Sequence, residues 1–203
     1  MSDRVLDVSS LPQHATDSRA LLWWGNLSMM VIEGTMFALL MATYLYLRMA
    51  NLDWPPPSVP MPDLLLPTVN LIILVLSAGA AIMADRAALR DDFRTVRVGF
   101  GICIAVGVAF LAIRFLAMTG IGFKWSSHAY GSIGWTIVGM HTVHVVTAVG
   151  EMSLLVVYSW VRPIVKSQLL DARCTAVYWY FVIVTWLPFY VIVWLLPHLT
   201  RKG

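Results

Sequence analysis

The chain has 203 residues, of which 59% are hydrophobic and only 12% are charged. A soluble domain carries roughly 25% charged residues, so this composition predicts an integral membrane protein. The formal net charge of +3 comes mainly from cations in the short connections between apolar runs, which argues against a nucleic-acid-binding protein. We therefore expect an all-α membrane protein that binds no nucleic acid.

Five apolar segments are long enough to cross a bilayer, which takes about 20 residues. They cover approximately residues 21–49, 64–84, 97–119, 132–160 and 174–199. A single membrane domain is expected over residues 1–203, with a polar N-terminal segment at residues 1–20. A cleavable signal peptide is not expected, because residues 1–19 are polar and the first apolar run is too long for such a leader.

The distribution of Lys and Arg predicts the orientation of the bundle. Nine of these cations lie in the N-terminal segment and in the second and fourth connections, whereas four lie on the opposite side. The positive-inside rule then places the N-terminus in the cytoplasm and the C-terminus outside. Arg114 lies inside the third segment near its outer end, where we expect it to snorkel to the lipid headgroups.

Aromatic residues and prolines mark the ends of the segments. We interpret eight Trp and Tyr residues as an aromatic belt at the membrane boundaries: Trp23, Trp24, Trp54, Trp125, Tyr130, Trp160, Tyr178 and Trp179. The run Pro55-Pro56-Pro57 predicts a stiff, extended connection after the first segment. Pro188 lies inside the fifth segment, where it removes a backbone hydrogen bond and is expected to kink the helix.

Glu33 is the only charged side chain in the first apolar run. A charged carboxylate at a helix centre costs roughly 2.5 kcal/mol or more on insertion scales, so Glu33 is expected to face protein or to be neutral. At about 100° per residue, Asn26, Glu33 and Tyr44 fall on nearly one line and form a polar stripe. Gly34 is expected to let another helix backbone approach closely beside this stripe.

The fourth segment carries His141, His144 and Glu151 on one flank. Three interpretations remain open from the residues alone: a buried polar network, a proton-linked site, or a metal or haem site. The Glu-x-x-His motif of carboxylate-bridged di-iron bundles is absent. Cys103 and Cys174 lack the spacing of metal ligands, so we expect them to be small buried hydrophobic residues.

Several short motifs follow one another on the predicted helices. They are Glu33-Gly34-Thr35-Met36-Phe37-Ala38, Trp54-Pro55-Pro56-Pro57, Pro67-Thr68-Val69-Asn70 before Ser77, Tyr130-Gly131-Ser132, Gly139-Met140-His141-Thr142-Val143-His144-Val145, and Tyr178-Trp179-Tyr180-Phe181-Val182 before Trp186 and Tyr190. With this ordered set, the chain resembles subunit III of the haem–copper terminal oxidases in its short five-helix form. The resemblance runs from about Trp23 to Leu196.

The chain departs from that family's pattern at several positions. The family usually has His where Tyr180 stands and Asp where Ile183 stands. It usually has an acidic residue near the outer end of the third helix, where this chain has Ala117 and Met118. Glu151 has no counterpart that the family pattern leads us to expect.

The resemblance implies a non-redox accessory subunit of a respiratory oxidase, in the bacterial cytoplasmic (inner) membrane. No cofactor is expected on this chain, whereas haem and copper are expected in partner subunits that reduce oxygen and pump protons. The expected partners are subunit I, other oxidase subunits and structural phospholipid in a membrane cleft. Glu33 matches the family's carbodiimide-reactive membrane carboxylate, which implies a protonated group in a low-dielectric site, and subunit III as a whole is associated with proton uptake near subunit I.

Two other functions remain open at the level of sequence. The chain could belong to a quinol oxidase or a nitric oxide reductase, because relatives of subunit III accompany those complexes. It could also be an independent metal-binding membrane enzyme that uses His141, His144, Glu33 and Glu151.

Overall fold

The computed structural model describes residues 20–51, 53–119, 123–161 and 166–200, without the side chains of residues 166, 167 and 200. Within these ranges, five helices are long and apolar enough to cross a membrane. They are α1 (Leu21–Ala50), α2 (Leu65–Ala88), α3 (Phe93–Thr119), α4 (Ala129–Val161) and α5 (Lys166–Tyr190). A π-helical segment, Val191–Leu195, and a short α6, Leu196–Thr200, continue α5. The expected all-α, five-span fold class is confirmed.

The helices are longer than the apolar runs that revealed them. α2 extends to Ala88 rather than to residue 84, α3 begins at Phe93 rather than at residue 97, and α5 begins at Lys166 rather than at residue 174. Apolarity marks only the stretch inside the hydrocarbon, whereas a helix continues wherever its backbone hydrogen bonds continue. The polar segment predicted at residues 1–20 lies, apart from Ala20, outside the described residues.

Small residues bring α2 and α3 into close contact. Ala81, Ala84 and Ala88 are buried on α2. A Cβ atom added at Gly99 of α3 would lie 2.9 Å from the carbonyl oxygen of Ala80 and 2.9 Å from the Cβ of Ala84. Membrane helices associate largely through van der Waals packing at such small residues, because lipid tails supply no competing hydrophobic effect.

The close approach expected at Gly34 is wrong. The nearest atom to a Cβ at that position is Cε2 of Phe181, a side-chain atom, at the ordinary contact distance of 3.7 Å. Gly107 of α3 is far tighter, because its added Cβ would lie 2.3 Å from Cγ2 of Val149 on α4. The glycines that permit close packing are therefore on α3 rather than beside Glu33.

A four-residue turn, residues 89–92, joins α2 to α3. Asp91 occupies the left-handed region with φ 57°, and Asp92 caps the start of α3. The Asp92 carboxylate accepts hydrogen bonds from the backbone N–H of Thr95 (3.2 Å) and from its hydroxyl (2.6 Å). These bonds stabilise the ionised carboxylate, and they lower the pKa of Asp92 below its ordinary value of 3.8.

The Asp92 cap is expected to make a pH-dependent contribution to stability. Because the pKa of Asp92 is lower in the folded chain, the contribution is fully present above the ordinary value of 3.8 and is lost as the pH falls through the lowered value. In thermal unfolding, Asp92→Ala should therefore have a lower melting temperature than the natural chain at neutral pH. This difference should become smaller in acid. Asp53→Ala is the control, because Asp53 is exposed in the proline-rich connection between α1 and α2. A gap that stays constant down to pH ~2 would contradict the cap.

Two arginines tie neighbouring helices together at the end of the bundle where α1 starts. Arg97 of α3 donates to the hydroxyl and the carbonyl oxygen of Ser159 on α4. Arg173 of α5 lies 3.3 Å from the Asp85 carboxylate of α2 and 5.3 Å from the ring centre of Trp23 on α1. α1 packs mainly on α4 and α5 and is the least buried of the five spans.

The aromatic-belt prediction is wrong for three of its residues. Trp179 is fully buried, and Tyr130 and Tyr178 are nearly so. The indole N–H of Trp179 donates to the Ser77 hydroxyl at 2.9 Å, so this residue joins α5 to α2 in the core. An aromatic ring near a helix end can face either lipid or a neighbouring helix. Both environments are apolar, so the sequence does not distinguish them. Cys103 and Cys174 are buried and free, as expected.

Pro188 does not end α5, which continues to Tyr190. The π-helical segment Val191–Leu195 begins three residues after the proline. A proline supplies no backbone N–H, and π-helical turns are one way in which a helix rearranges its hydrogen bonds near such a residue.

Candidate functional site

The polar stripe of α1 meets α4 near the middle of both helices. An oxygen of the Glu33 carboxyl lies 3.6 Å from Nε2 of His144. This distance is too long for a hydrogen bond but lies within the about 4 Å of an ion-pair contact. The same oxygen has no hydrogen-bond partner among the described residues. Of the two histidines on α4, it is His144 that lies beside Glu33.

The second ring nitrogen of His144 sets the orientation of this pair. Nδ1 donates to the carbonyl oxygen of Met140 one turn earlier, at 2.6 Å, so Nε2 is the nitrogen that faces Glu33. The ring of Phe37 covers the imidazole, with centroids 4.7 Å apart. The imidazole is therefore largely covered, whereas the Glu33 side chain is 21% exposed.

Other polar contacts extend this site along α5. The side chain of Tyr178 interacts with both Glu33 and Thr147, so it bridges α1, α4 and α5. Nearer the start of α1, the Asn26 amide donates to the carbonyl oxygen of Cys174 at 3.1 Å. The predicted stripe thus holds α1 to its neighbours at two levels of the membrane.

Glu151 is placed differently from Glu33 and the histidines. Its side chain is exposed on the outside of the bundle, where its carboxylate accepts a hydrogen bond from the Thr175 hydroxyl at 2.9 Å. Asp171, half-buried on α5, is close enough to repel it electrostatically. Glu151 lies ten residues before the end of α4, which corresponds to about 15 Å of helix. Glu151 is therefore an exposed acidic side chain on the outer face of α4, with Asp171 close by on α5.

His141 belongs to another part of the core, although it is only one turn from His144. It is fully buried, and its Nε2 lies 3.0 Å from the carbonyl oxygen of Val182. Its ring packs on Trp186 with centroids 4.3 Å apart. The side chains of His141, His144 and Glu151 thus contact different partners. Among the described residues, no group of three or more His, Cys, Asp or Glu side chains is arranged to hold a metal ion.

Tyr44, the last residue of the predicted stripe, is buried near the other end of α1. Its ring packs edge-on against Trp54 of the proline-rich connection, with centroids 5.6 Å apart. Trp54 in turn packs edge-on against Tyr130 at the start of α4. These three rings fix the proline-rich connection on the bundle.

Arg114 does not snorkel, so that prediction is wrong. It is 4% exposed, and its guanidinium lies 3.9 Å from the ring centre of Trp186 and 4.8 Å from that of Phe110. Sequence reasoning missed Arg114 as a site residue. The available signal was its position inside an apolar run, which is the same signal that singled out Glu33.

A comparison with protein families decides the identity of this bundle. The family model for cytochrome c oxidase subunit III matches residues 2–197, which is nearly the whole chain. The chain belongs to the cytochrome c oxidase subunit III family.

Individual relatives agree with this assignment to the subunit III family. The chain is 28% identical to cytochrome c oxidase subunit 3 of Thermostichus vulcanus, over 85% of this chain and 86% of the relative. It is also 28% identical to the protein of that name from Bacillus subtilis (strain 168), over 81% of each. Cytochrome bo(3) ubiquinol oxidase subunit 3 of Pseudomonas aeruginosa is 24% identical, over 90% of this chain and 88% of the relative. The resemblance seen in the ordered motifs is confirmed.

Membership in the subunit III family and the five apolar helices together establish a multi-pass membrane protein that is an oxidase subunit III. As such, it is a component of a complex with other oxidase subunits.

Proposed function

We propose that this chain is a non-redox accessory subunit of a respiratory haem–copper oxidase. In this proposal, haem and copper reside in partner subunits, which reduce oxygen and pump protons, and this chain packs against the catalytic subunit I. Membership in the subunit III family supports the assignment to an oxidase complex.

The exposed position of Glu151 is the observation that supports packing against a partner subunit. Its side chain is exposed on the outside of a helix that is long and apolar enough to cross the membrane, with Thr175 as its hydrogen-bond donor and Asp171 close by. Acidic groups are costly against lipid tails, and in membrane proteins they face protein or water-filled cavities. A protein surface that covers this part of α4 and α5 removes that cost. We assign this surface to subunit I.

The Glu33–His144 pair has a structural role in this proposal. α1 is the least buried span, and its polar contacts through Asn26 and Glu33 supplement a modest apolar interface. Interhelical polar contacts of this kind contribute roughly 0.6–2 kcal/mol in membranes. The pair therefore fixes α1 on α4 without a redox step.

The proposal also includes phospholipid binding and an orientation in the membrane. The large apolar side chains exposed on α1 provide a surface for acyl chains. The excess of Lys and Arg in the connections on the side of the N-terminus supports a cytoplasmic N-terminus and a periplasmic C-terminus in the bacterial inner membrane.

Copurification tests the proposal. A gently solubilised, tagged chain is expected to bring down a haem-containing membrane complex, detected by its absorption spectrum and by the peptides of subunit I. Glu151→Ala should reduce the yield of haem per tagged chain, because it removes the polar contact at the interface. Val157→Ala, which shortens a side chain that is 60% exposed on the same helix but points about 120° away from Glu151, is the control. Isolation of the natural chain without any haem protein would refute the proposal.

A quinol oxidase is the second candidate, and the Pseudomonas aeruginosa relative favours it, because that protein is named as a ubiquinol oxidase subunit. The electron donor of the purified complex separates the two candidates. Oxidation of reduced cytochrome c supports the first, and oxidation of a quinol without cytochrome c supports the second.

A further inference from the structure

A cavity of about 400 Å³ lies at the end of the bundle where α2 and α4 begin and α3 ends. The residues that carry its chemistry are Asp63, Asn70, Arg114, Trp135, Trp186 and Trp194. Most of the remaining wall is apolar side chain from the four helices α2 to α5 and the proline-rich connection. This cavity is separate from the Glu33–His144 pair.

Arg114 provides a buried positive charge in this wall. It is the one cation among the described residues that line the cavity, and Asp63, on the exposed rim, is the one carboxylate. Asp63 accepts the backbone N–H of Leu65 at 3.1 Å. Nη1 of Arg114 is buried and has no hydrogen-bond partner in the described part of the chain. A buried guanidinium without an anion is costly, which indicates that the site is completed by an anionic group.

Two further donors in the wall are also buried without a partner among residues 20–51, 53–119, 123–161 and 166–200. They are the indole N–H groups of Trp135 and Trp186. Trp186 contacts the Arg114 guanidinium face-on, so its position is tied to that of the charge. All three donors belong to residues that line the cavity, and unpartnered donors suit an acceptor with several oxygens, such as a phosphate or a carboxylate.

The rest of the cavity suits an apolar tail. Pockets that hold small ligands typically measure about 300–1,000 Å³, and a cavity of this size exceeds what a single side chain from a partner would fill. Its apolar walls would bury an acyl chain, whereas a free inorganic anion would leave most of the space empty. An amphiphile matches both parts of the site.

The depth of Arg114 agrees with a lipid headgroup. α3 has 27 residues and is therefore about 40 Å long, close to the full thickness of a bilayer with its headgroups. Arg114 lies five residues before the end of α3, or about 7 Å along the axis. This level corresponds to the boundary between the headgroups and the hydrocarbon, where the phosphate or carboxylate of a lipid lies.

We propose that this cavity binds a single lipid with a phosphate or carboxylate group, held by Arg114, with its acyl chain in the apolar space. The proposal deepens the lipid binding given under the proposed function and rests on it only for the bilayer setting. A failure here would leave copurification with a haem-containing complex unaffected, so the two proposals fail separately.

Lipid titration of the purified, delipidated full-length chain tests this site, with native mass spectrometry to count bound molecules. The probes are dioleoylphosphatidylglycerol, oleate and inorganic phosphate. We expect one tight site for a lipid, and whichever lipid binds more tightly identifies the source of the anionic group. Arg114→Gln should weaken that site at least about tenfold, because a hydrogen bond to a charged group is lost. Arg114→Lys should retain more of the affinity, since it keeps the charge.

A second variant tests the acyl space without touching Arg114. Gly134 of α4 lines the cavity, and nothing lies within 4 Å of a Cβ added there. Gly134→Leu should therefore occupy the apolar space and abolish the tight site. Gly139→Leu is the matched control, because Gly139 has equally open surroundings on the same helix but does not line the cavity. Lys124→Gln controls for an exposed cation at this end of the bundle.

Three results would overturn the proposal. The first is equal lipid affinity of Arg114→Gln and the natural chain, and the second is equal affinity of Gly134→Leu and Gly139→Leu. The third is inorganic phosphate binding as tightly as either lipid, which would remove the role of the acyl chain.

Discussion

The substitution Gly99→Ala is expected to destabilise the bundle, although alanine is the better helix former. Its Cβ would lie 2.9 Å from the backbone oxygen of Ala80 and 3.1 Å from the backbone nitrogen of Ala84, so α2 and α3 must move apart. Overpacking typically costs about 1–3 kcal/mol. This cost exceeds the gain of up to about 1 kcal/mol from replacing glycine inside a helix. The measurement is the free energy of unfolding of the purified chain in mixed micelles.

Gly101→Ala is the matched control for this prediction. Gly101 lies two residues further along α3, and nothing stands within 4 Å of a Cβ added there. Only the helix-propensity gain applies at this position, so Gly101→Ala should stabilise the chain or leave it unchanged. The two substitutions are therefore expected to have opposite signs. Equal unfolding free energies for both variants would contradict the close packing of α2 on α3.

Glu33→Gln is expected to preserve assembly and most oxygen consumption of the oxidase complex, whereas Glu33→Ala is expected to weaken assembly. Glutamine keeps the shape of the side chain and offers an N–H to Nε2 of His144. Alanine leaves His144 and Tyr178 without their polar neighbour on α1. Leaving a buried polar group unsatisfied costs roughly 1–3 kcal/mol. The yield of intact complex and its oxygen consumption are the two measurements.

A double-mutant cycle measures the interaction energy between Glu33 and His144 apart from their other contacts. If Glu33 and His144 act together, Glu33→Ala and His144→Ala combined should cost less than the sum of the single changes. Thr35→Ala is the control on α1, because the Thr35 hydroxyl is exposed and bonds only to the carbonyl oxygen of Ile32 in its own helix. Loss of assembly in Glu33→Gln, with Glu33→Asp tolerated, would contradict a contact that needs only the shape and the hydrogen bonding of the Glu33 side chain.

The spans could be predicted from the sequence, because the bilayer imposes a length and an apolarity that a single run of residues displays. The polar stripe on α1 could also be predicted, since three positions on one helix share a face by geometry alone. The expectation that Glu33 faces other helices required only the high cost of a carboxyl group against lipid. These features depend on one helix and its solvent.

Features that depend on which helices meet could not be predicted in this way. His141 and His144 share a flank of α4, yet one lies against Trp186 and the other against Glu33. The position of Arg114 near a helix end is compatible with a snorkelling residue and with a buried one. Only the contacts with Phe110 and Trp186 in the structure show that it is buried. Rotation of each helix about its axis is set by packing, which a single sequence does not display.

The π-helical segment Val191–Leu195 acts as a one-residue insertion in the last span. An i→i+5 turn holds more residues than an α turn, so it rotates every later side chain backwards relative to a regular α-helix. In this structure Trp194 lies 5.3 Å from Trp186, ring centre to ring centre, on the wall that contains Arg114. Deleting one residue of the segment would restore the α register and turn Trp194 towards another neighbour. The shape of that wall is thus encoded by chain length as well as by side-chain identity.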